Sequence, residues 1–132
     1  MTFKFEWKEE FDIGVETMNN EHKKIIMLIN ELVGVIEKEG DVAGSFNKLA
    51  SYVVEHFENE ERFMEAKEFS GLNGHKLIHK SLLEKVGGFG DDIANGKLES
   101  HKLISFLQMW LSSHIKGIDM KYGNEINGKK AA

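Results

Sequence analysis

The stretch "HKLIHKSLLEKVGGFGDDI", residues 75–93, decides the fold. His75, His79, Leu82, Val86, Phe89 and Ile93 follow one another in unbroken steps of four and three residues. That spacing lines one face of an α-helix, whereas a strand would alternate every second residue. Gly87, Gly88 and Gly90 weaken the second half of this helix without breaking its stripe. The stripe begins with two histidines where aliphatic residues would serve packing as well. The residues that define the helix therefore also raise the question of chemistry.

Three more stripes share this period. One runs through Ile25, Ile26, Ile29, Val33 and Ile36 and stops at Gly40. The next follows Asp41, a plausible N-cap, with Phe46, Leu49, Val53, Phe57 and Met64. The last begins near Ser100, after the helix that follows Asn73, and carries Leu103, Leu107, Leu111 and Ile118. Short connections around Gly40, Ser70-Gly71 and Asn95-Gly96 favour antiparallel neighbours. The expected fold is all-α, an up-down-up-down four-helix bundle. It forms one domain over 1–132, with the bundle at about 18–120. Phe3, Phe5 and Trp7 alternate with polar residues, but a lone strand has nothing to pair with. Residues 1–17 therefore read as an extended arm laying aromatics on the body, and 121–132 as a C-terminal tail, frayed from Gly128 on.

Composition narrows the function classes. The chain has 132 residues, no cysteine and a net charge of −5 with a single arginine, Arg62. Disulfides and thiolate metal sites are excluded, and nucleic acid is a poor partner. No apolar run approaches the roughly 18 residues of a membrane span, and "MTFKFEWKEEFD" is too charged for a signal peptide. The expectation is a cytoplasmic protein.

Five of the six histidines extend apolar stripes. His22 precedes Ile25 and Ile26 by three and four residues, His56 follows Val53 by three, and Glu60 follows His56 by four. His114 follows Leu111 by three and Leu107 by seven. Only His101 looks ordinary. Burying an ionised Glu60 costs several kcal/mol unless it is compensated, and no lysine or arginine lies on a facing stripe. A cation in the bundle core would offset the carboxylate and take neutral imidazoles as ligands; iron, zinc and manganese all suit such donors. Other charged runs read as ordinary surface. "ENEER", apart from Glu60, is a solvated face, and "KEEFD", "EKEGD" and "GDD" are helix ends and turns. Gly87-Gly88-Phe89-Gly90 lacks the lysine-serine ending of a phosphate loop.

Taken in order, "FDIGV" after Trp7, "NNEH" ending at His22, "HFENEE" from His56, "HKLIH" from His75 and "WLSSHIKGID" from Trp110 resemble the hemerythrin family in its single-domain bacterial form. The turn "FSGLNGH" lacks the proline that many relatives carry there. The resemblance implies a hydroxo- or oxo-bridged pair of iron ions that binds dioxygen reversibly. Its ligands would be His22, His56, Glu60, His75, His79, His114 and Asp119. By the family pattern His75, His79 and His114 hold one iron and His22 and His56 the other, with Glu60 and Asp119 bridging. One iron is then closed and the other keeps an open position for dioxygen. Ile25, Ile26, Phe57, Trp110 and Ile115 are candidates for an apolar oxygen pocket beside the ligands.

This ligand set creates a conflict in "HIKGID". Five residues separate His114 from Asp119, a rotation of about 140° on a regular helix. Either the fourth helix departs from α geometry there, through a π-type turn or a loosened end eased by Gly117, or the bundle's tilt lets a regular helix present both. The expected function is oxygen carriage, storage or delivery to an oxygen-consuming enzyme, by a monomer. A gas sensor for oxygen or nitric oxide is one alternative, although no output domain follows the fourth helix. A di-iron oxidase or peroxidase is another. Imidazoles outnumbering carboxylates five to two argue for binding over oxygen activation, since activating bundles use carboxylate-rich sites.

Overall fold

The computed structural model describes residues 4–128 and is all-helical over that span. Phe3 and residues 129–132 of the expected tail lie outside the described residues. Helices α1 (Glu16–Glu37), α2 (Val42–Ala66), α3 (Leu72–Ala94) and α4 (Ser100–His114) form the antiparallel bundle. A five-residue π-helical turn, Ile115–Asp119, then leads without interruption into α5, Met120–Ile126.

Local chemistry sets the ends of these helices. Asp41 caps α2 by accepting a hydrogen bond from the Gly44 N–H at 2.9 Å, the role its position suggested. The end of α3 is a six-residue wrap in which Lys97 N–H donates to the Asp92 carbonyl at 2.8 Å, with Gly96 at φ +68° supplying the left-handed residue. At its start, α3 begins one residue before Asn73, after Gly71. There Glu125 of α5 accepts from both the Ser70 N–H and the Ser70 hydroxyl, at 3.0 and 2.5 Å, and fixes the α2–α3 turn.

The core is built mainly from α1, α2 and α4. Ile25, Ile29, Leu32, Leu49, Leu103 and Leu111 are fully buried, each contributing about 1.5–3 kcal/mol of apolar burial. The stripe on α3 is less deeply covered than its regularity suggested. Ile78, Leu82, Val86, Phe89 and Ile93 are half-buried. The reason is placement: α3 packs along α2 but stands off from α4, which it reaches through ring contacts such as Phe89–Phe106 at 5.2 Å.

The arm is extended, as its alternation indicated, apart from one 3-10 turn, Glu9–Phe11. Phe5, Phe11, Ile13 and Val15 are buried. Asn30 of α1 holds the arm like a strand partner, accepting from Phe5 N–H at 2.7 Å and donating to the Phe5 carbonyl at 2.9 Å. The tail expected over 121–132 is corrected for its first part. Residues 121–126 are helical, and Tyr122 is completely buried, because its ring packs among Phe63, Phe69 and His75, while the arm crosses α5 beside it.

That crossing depends on Gly123. A Cβ there would lie 2.2 Å from the Ile13 carbonyl oxygen and 3.1 Å from its carbon, both backbone atoms that cannot swing aside. Gly123→Ala is therefore expected to destabilise the protein by about 2 kcal/mol, within the range for overpacking. Denaturant titration measures this, and an unchanged midpoint would show that the arm does not sit on α5.

Candidate metal centre

Each rod of the bundle contributes to one buried cluster. His22 comes from α1, His56 and Glu60 from α2, His75 and His79 from α3, and His114 from the end of α4 with Asp119 from the π turn. All seven side chains are buried, none more than 5 % exposed. The i, i+4 pairs His56–Glu60 and His75–His79 share a face because that step nearly completes a helical turn. His101, by contrast, is exposed.

The contacts divide into two sets. Glu60 turns Oε1 toward His75 Nε2 at 3.2 Å and His79 Nε2 at 2.9 Å, and Oε2 toward His22 Nε2 at 3.7 Å and His56 Nε2 at 3.5 Å. Asp119 repeats the division, with Oδ1 3.1 Å from His75 Nε2 and 3.0 Å from His114 Nε2, and Oδ2 3.0 Å from His22 Nε2. Each carboxylate thus offers one oxygen to each group of imidazoles. Two constellations follow, Glu60, His75, His79, His114 and Asp119 in one, and His22, His56, Glu60 and Asp119 in the other. Within each, the donor atoms lie within 4.8 Å of one another.

These atoms are close without being hydrogen bonded. Nε2 of His22, His75, His79 and His114, Oε1 of Glu60 and both oxygens of Asp119 are buried with no aligned partner. An orphaned buried polar group costs about 1–3 kcal/mol, so a cluster of this size requires something to accept the lone pairs. Neutral imidazole nitrogens and carboxylate oxygens converging on two points suit a pair of divalent or trivalent cations.

The π turn explains how Asp119 reaches the cluster. Met120 N–H donates to the Ile115 carbonyl, five residues back, and the wider turn brings position five nearly over position zero. Both flanking residues keep right-handed helical angles, His114 at φ −65° and Asp119 at φ −66°. The departure from α geometry falls where the spacing conflict placed it. Ile118, which a regular helix would aim where His114 points, is left half-buried on the outside.

Further residues orient the cluster from behind. Glu21 Oε1 lies 2.6 Å from His56 Nδ1, and Glu61 Oε2 lies 2.8 Å from His79 Nδ1. Each carboxylate fixes the tautomer that presents Nε2 inward. Asn59 donates to Glu21 Oε2 at 3.3 Å, and Arg62 donates to Asn59 Oδ1 at 2.5 Å. "ENEER" is therefore not merely a solvated face. Three of its members besides Glu60 support imidazoles, an arrangement that depends on which residues face α1 and α3. The Tyr122 hydroxyl donates to Glu60 Oε2 at 2.6 Å. Burial, then the Glu60 and Asp119 charges, drives its pKa far above the ordinary phenol value, so Tyr122 stays a donor.

Comparison with known proteins follows this geometry closely. The family profile described as "Hemerythrin HHE cation binding domain" matches residues 13–126. The chain belongs to the hemerythrin family. A "Hemerythrin-like protein" of Naegleria gruberi is 33 % identical over 118 residues, covering 89 % of this chain and 90 % of its own length. A "Bacteriohemerythrin" of Clostridium acetobutylicum is 28 % identical over 127 residues, covering 89 % and 98 %. A crystal structure of a hemerythrin point mutant superposes with a TM-score of 0.86 at 25 % identity, over 96 % of this chain and 98 % of that one. Among the described residues of this hemerythrin, no helix is long and apolar enough to cross a membrane.

The apolar residues named for the hemerythrin oxygen pocket, Ile25, Ile26, Phe57, Trp110 and Ile115, are all buried. Phe57 stacks on the His79 ring at 3.7 Å and 3° and reaches His114 at 6.0 Å. Trp110 lies 6.4 Å from His114 by ring centroids. Glu21→Gln and Glu61→Gln keep the size of these supporting residues but remove their charge. Each is expected to lower metal affinity by about 10–100-fold, read by competition with a chelator. Wild-type affinity in both variants would remove the two carboxylates from the centre.

Proposed function

We propose that the cluster holds two iron ions and that this hemerythrin binds dioxygen reversibly, for carriage, storage or delivery. His75, His79 and His114 would hold one ion and His22 and His56 the other, with Glu60 and Asp119 shared. The observation that carries this reading is the three-to-two partition of imidazoles around two shared carboxylates. It leaves one ion a ligand short, as a small-molecule site requires. When bound, the iron pair supplies reversible two-electron exchange with dioxygen.

The chain's own residues supply the rest. Glu60 and Asp119 neutralise charge without leaving the apolar interior. Tyr122 holds the Glu60 oxygen nearer His22 and His56. Phe57, Trp110 and Ile115 keep water from the centre, which slows irreversible oxidation. No acid–base residue beyond the ligands is required, consistent with binding rather than turnover.

The test is cyclic. The iron-loaded protein is reduced without air, exposed to oxygen and then degassed. A coloured adduct that forms and fades over several cycles is the expected result, whereas bleaching with oxidation of an added substrate points to an oxidase or peroxidase. The ligand partition makes a sharper prediction. His22→Ala or His56→Ala abolishes oxygen binding while metal is partly retained; His75→Ala or His79→Ala also lowers stability, because metal binding is folding energy; His101→Ala changes neither. Two irons and normal oxygen binding in all the ligand variants would overturn the assignment.

A further inference from the structure

The stand-off between α3 and α4 leaves an apolar groove of about 410 Å³, with walls from Ile78, Leu82, Phe106 and Met109 and a floor of Trp110 and His114. It is the place where a ligand candidate comes nearest to solvent. His114 is 5 % exposed, against 0 to 3 % for the other four histidines. The π turn contributes to the wall, since it turns Ile118 outward into the groove. Met109 stands 70 % exposed at the lip, a large apolar side chain in water beside the groove that His114 lines.

Charge distinguishes this face from the rest of an acidic protein. Lys85 lines the groove and no carboxylate does. Lys102 and Lys116 lie seven residues before and after Met109, on the same stripe of the α4 rod. Lys102 pairs with Glu99 at 2.5 Å and also feels Asp92, and Lys116 pairs with Glu10 at 3.6 Å. Lys121 sits beyond Ile118 at the groove's end. Among the described residues, acidic groups outnumber basic ones 16 to eight before Leu72, whereas six face seven after it. An acidic partner would be repelled by the α1–α2 half and drawn to the α3–α4 seam.

We propose that this groove is the docking site for an acidic one-electron carrier protein that re-reduces the centre after oxidation. The inference rests on the di-iron reading above. Two encounters supply two electrons, the carrier losing one each time. The two ferric ions that the cluster would hold would each take one electron, and one solvent proton would be taken up with them. An apolar contact around Met109 seats the partner, the lysine rim orients it, and the Trp110 and His114 rings lie between the groove and the ligand cluster.

The test uses the full iron-loaded chain and flavodoxin, an acidic flavoprotein carrier. Oxidised flavodoxin is titrated by calorimetry at increasing salt, and its hydroquinone is mixed with ferric protein while the ferric absorption is followed. Salt-sensitive binding is expected, with a bleaching rate that falls about tenfold or more in Lys85→Glu and in Met109→Glu. Dithionite, a small reductant that needs no docking, should bleach all three proteins equally. Unchanged flavodoxin binding and rates in both variants, with dithionite still effective, overturn the docking site alone. Failure of dithionite to bleach any ferric band overturns the di-iron reading as well. A dimer that Met109→Glu dissociates also overturns the proposal, because a second copy would then cover the groove.

Discussion

Stripping the metal from this protein is expected to cost far more stability at about pH 9.5 than at about pH 6. In the metal-free fold, burial opposes charge on His22 and His75, but the close contacts and charges of Asp119 and Glu60 outweigh it and lift both to about 9. The unfolded value is about 6.5. A pKa raised on folding contributes stability that is fully present below the unfolded value and is lost as pH rises through the folded one. Protons on His22 and His75 thus stand in for the cations at pH 6 and are mostly lost by about pH 9.5, leaving the two carboxylates largely uncompensated in the core. Burial also opposes ionising Glu60, yet contacts with His22, His75 and His79 hold it well below the ordinary carboxylate value, so it stays charged across this window. Each pKa unit is worth about 1.4 kcal/mol, so the metal-free protein should lose a few kcal/mol between these limits while the loaded protein does not. Melting both forms across the range checks this. A metal-free curve that stays level or rises would show that the carboxylates are not compensated by these histidines.

Asp119→Ala should be the most damaging single substitution at the centre. Asp119 faces His75 and His114 with one oxygen and His22 with the other, so its removal opens both constellations together. Affinity for both ions should fall more than about 100-fold, beyond the upper end expected for an outer-sphere change. Helix geometry should respond as well. A π turn is rare and survives where local interactions support it, and the proposed ligand role of Asp119 would supply that support here. In the variant, residues 115–120 should relax toward regular α hydrogen bonding, and their amide protons should show altered exchange protection. Iron content and hydrogen exchange read the two effects separately. Retention of two ions per chain would remove Asp119 from the ligand set.

What the sequence disclosed depended on which physical rule each residue obeyed. The helical stripes and inward histidines were legible because both follow a single local period. The π turn was legible as a conflict, since a regular helix sets His114 and Asp119 about 140° apart; of the two ways out, a distorted helix or a tilted regular one, the structure shows the first. Glu21 and Glu61 were not legible, because their partners His56 and His79 lie 35 and 18 residues away and no local pattern marks the pairing. Tyr122 went unrecognised because its partners Glu60, Phe63, Phe69 and His75 lie far back in the chain. Its step of three from Asp119 was the available signal. The half-burial of α3 was equally hidden, since spacing tells which face turns inward but not how near the neighbouring helix stands.

The arrangement of the cluster across all four rods also bears on folding kinetics. Its donors run from His22 to Asp119, nearly the full described chain, and no hairpin carries a complete set. The α1–α2 pair, linked by a short turn and joined by extensive apolar packing, can form early at little loop-closure cost. Metal coordination requires the last helix and its π turn to be in place, so it arrives after the main barrier. Interactions absent from the transition state act on the unfolding rate. Metal should therefore leave the folding rate of the chain nearly unchanged and greatly prolong the lifetime of the bundle once it has closed.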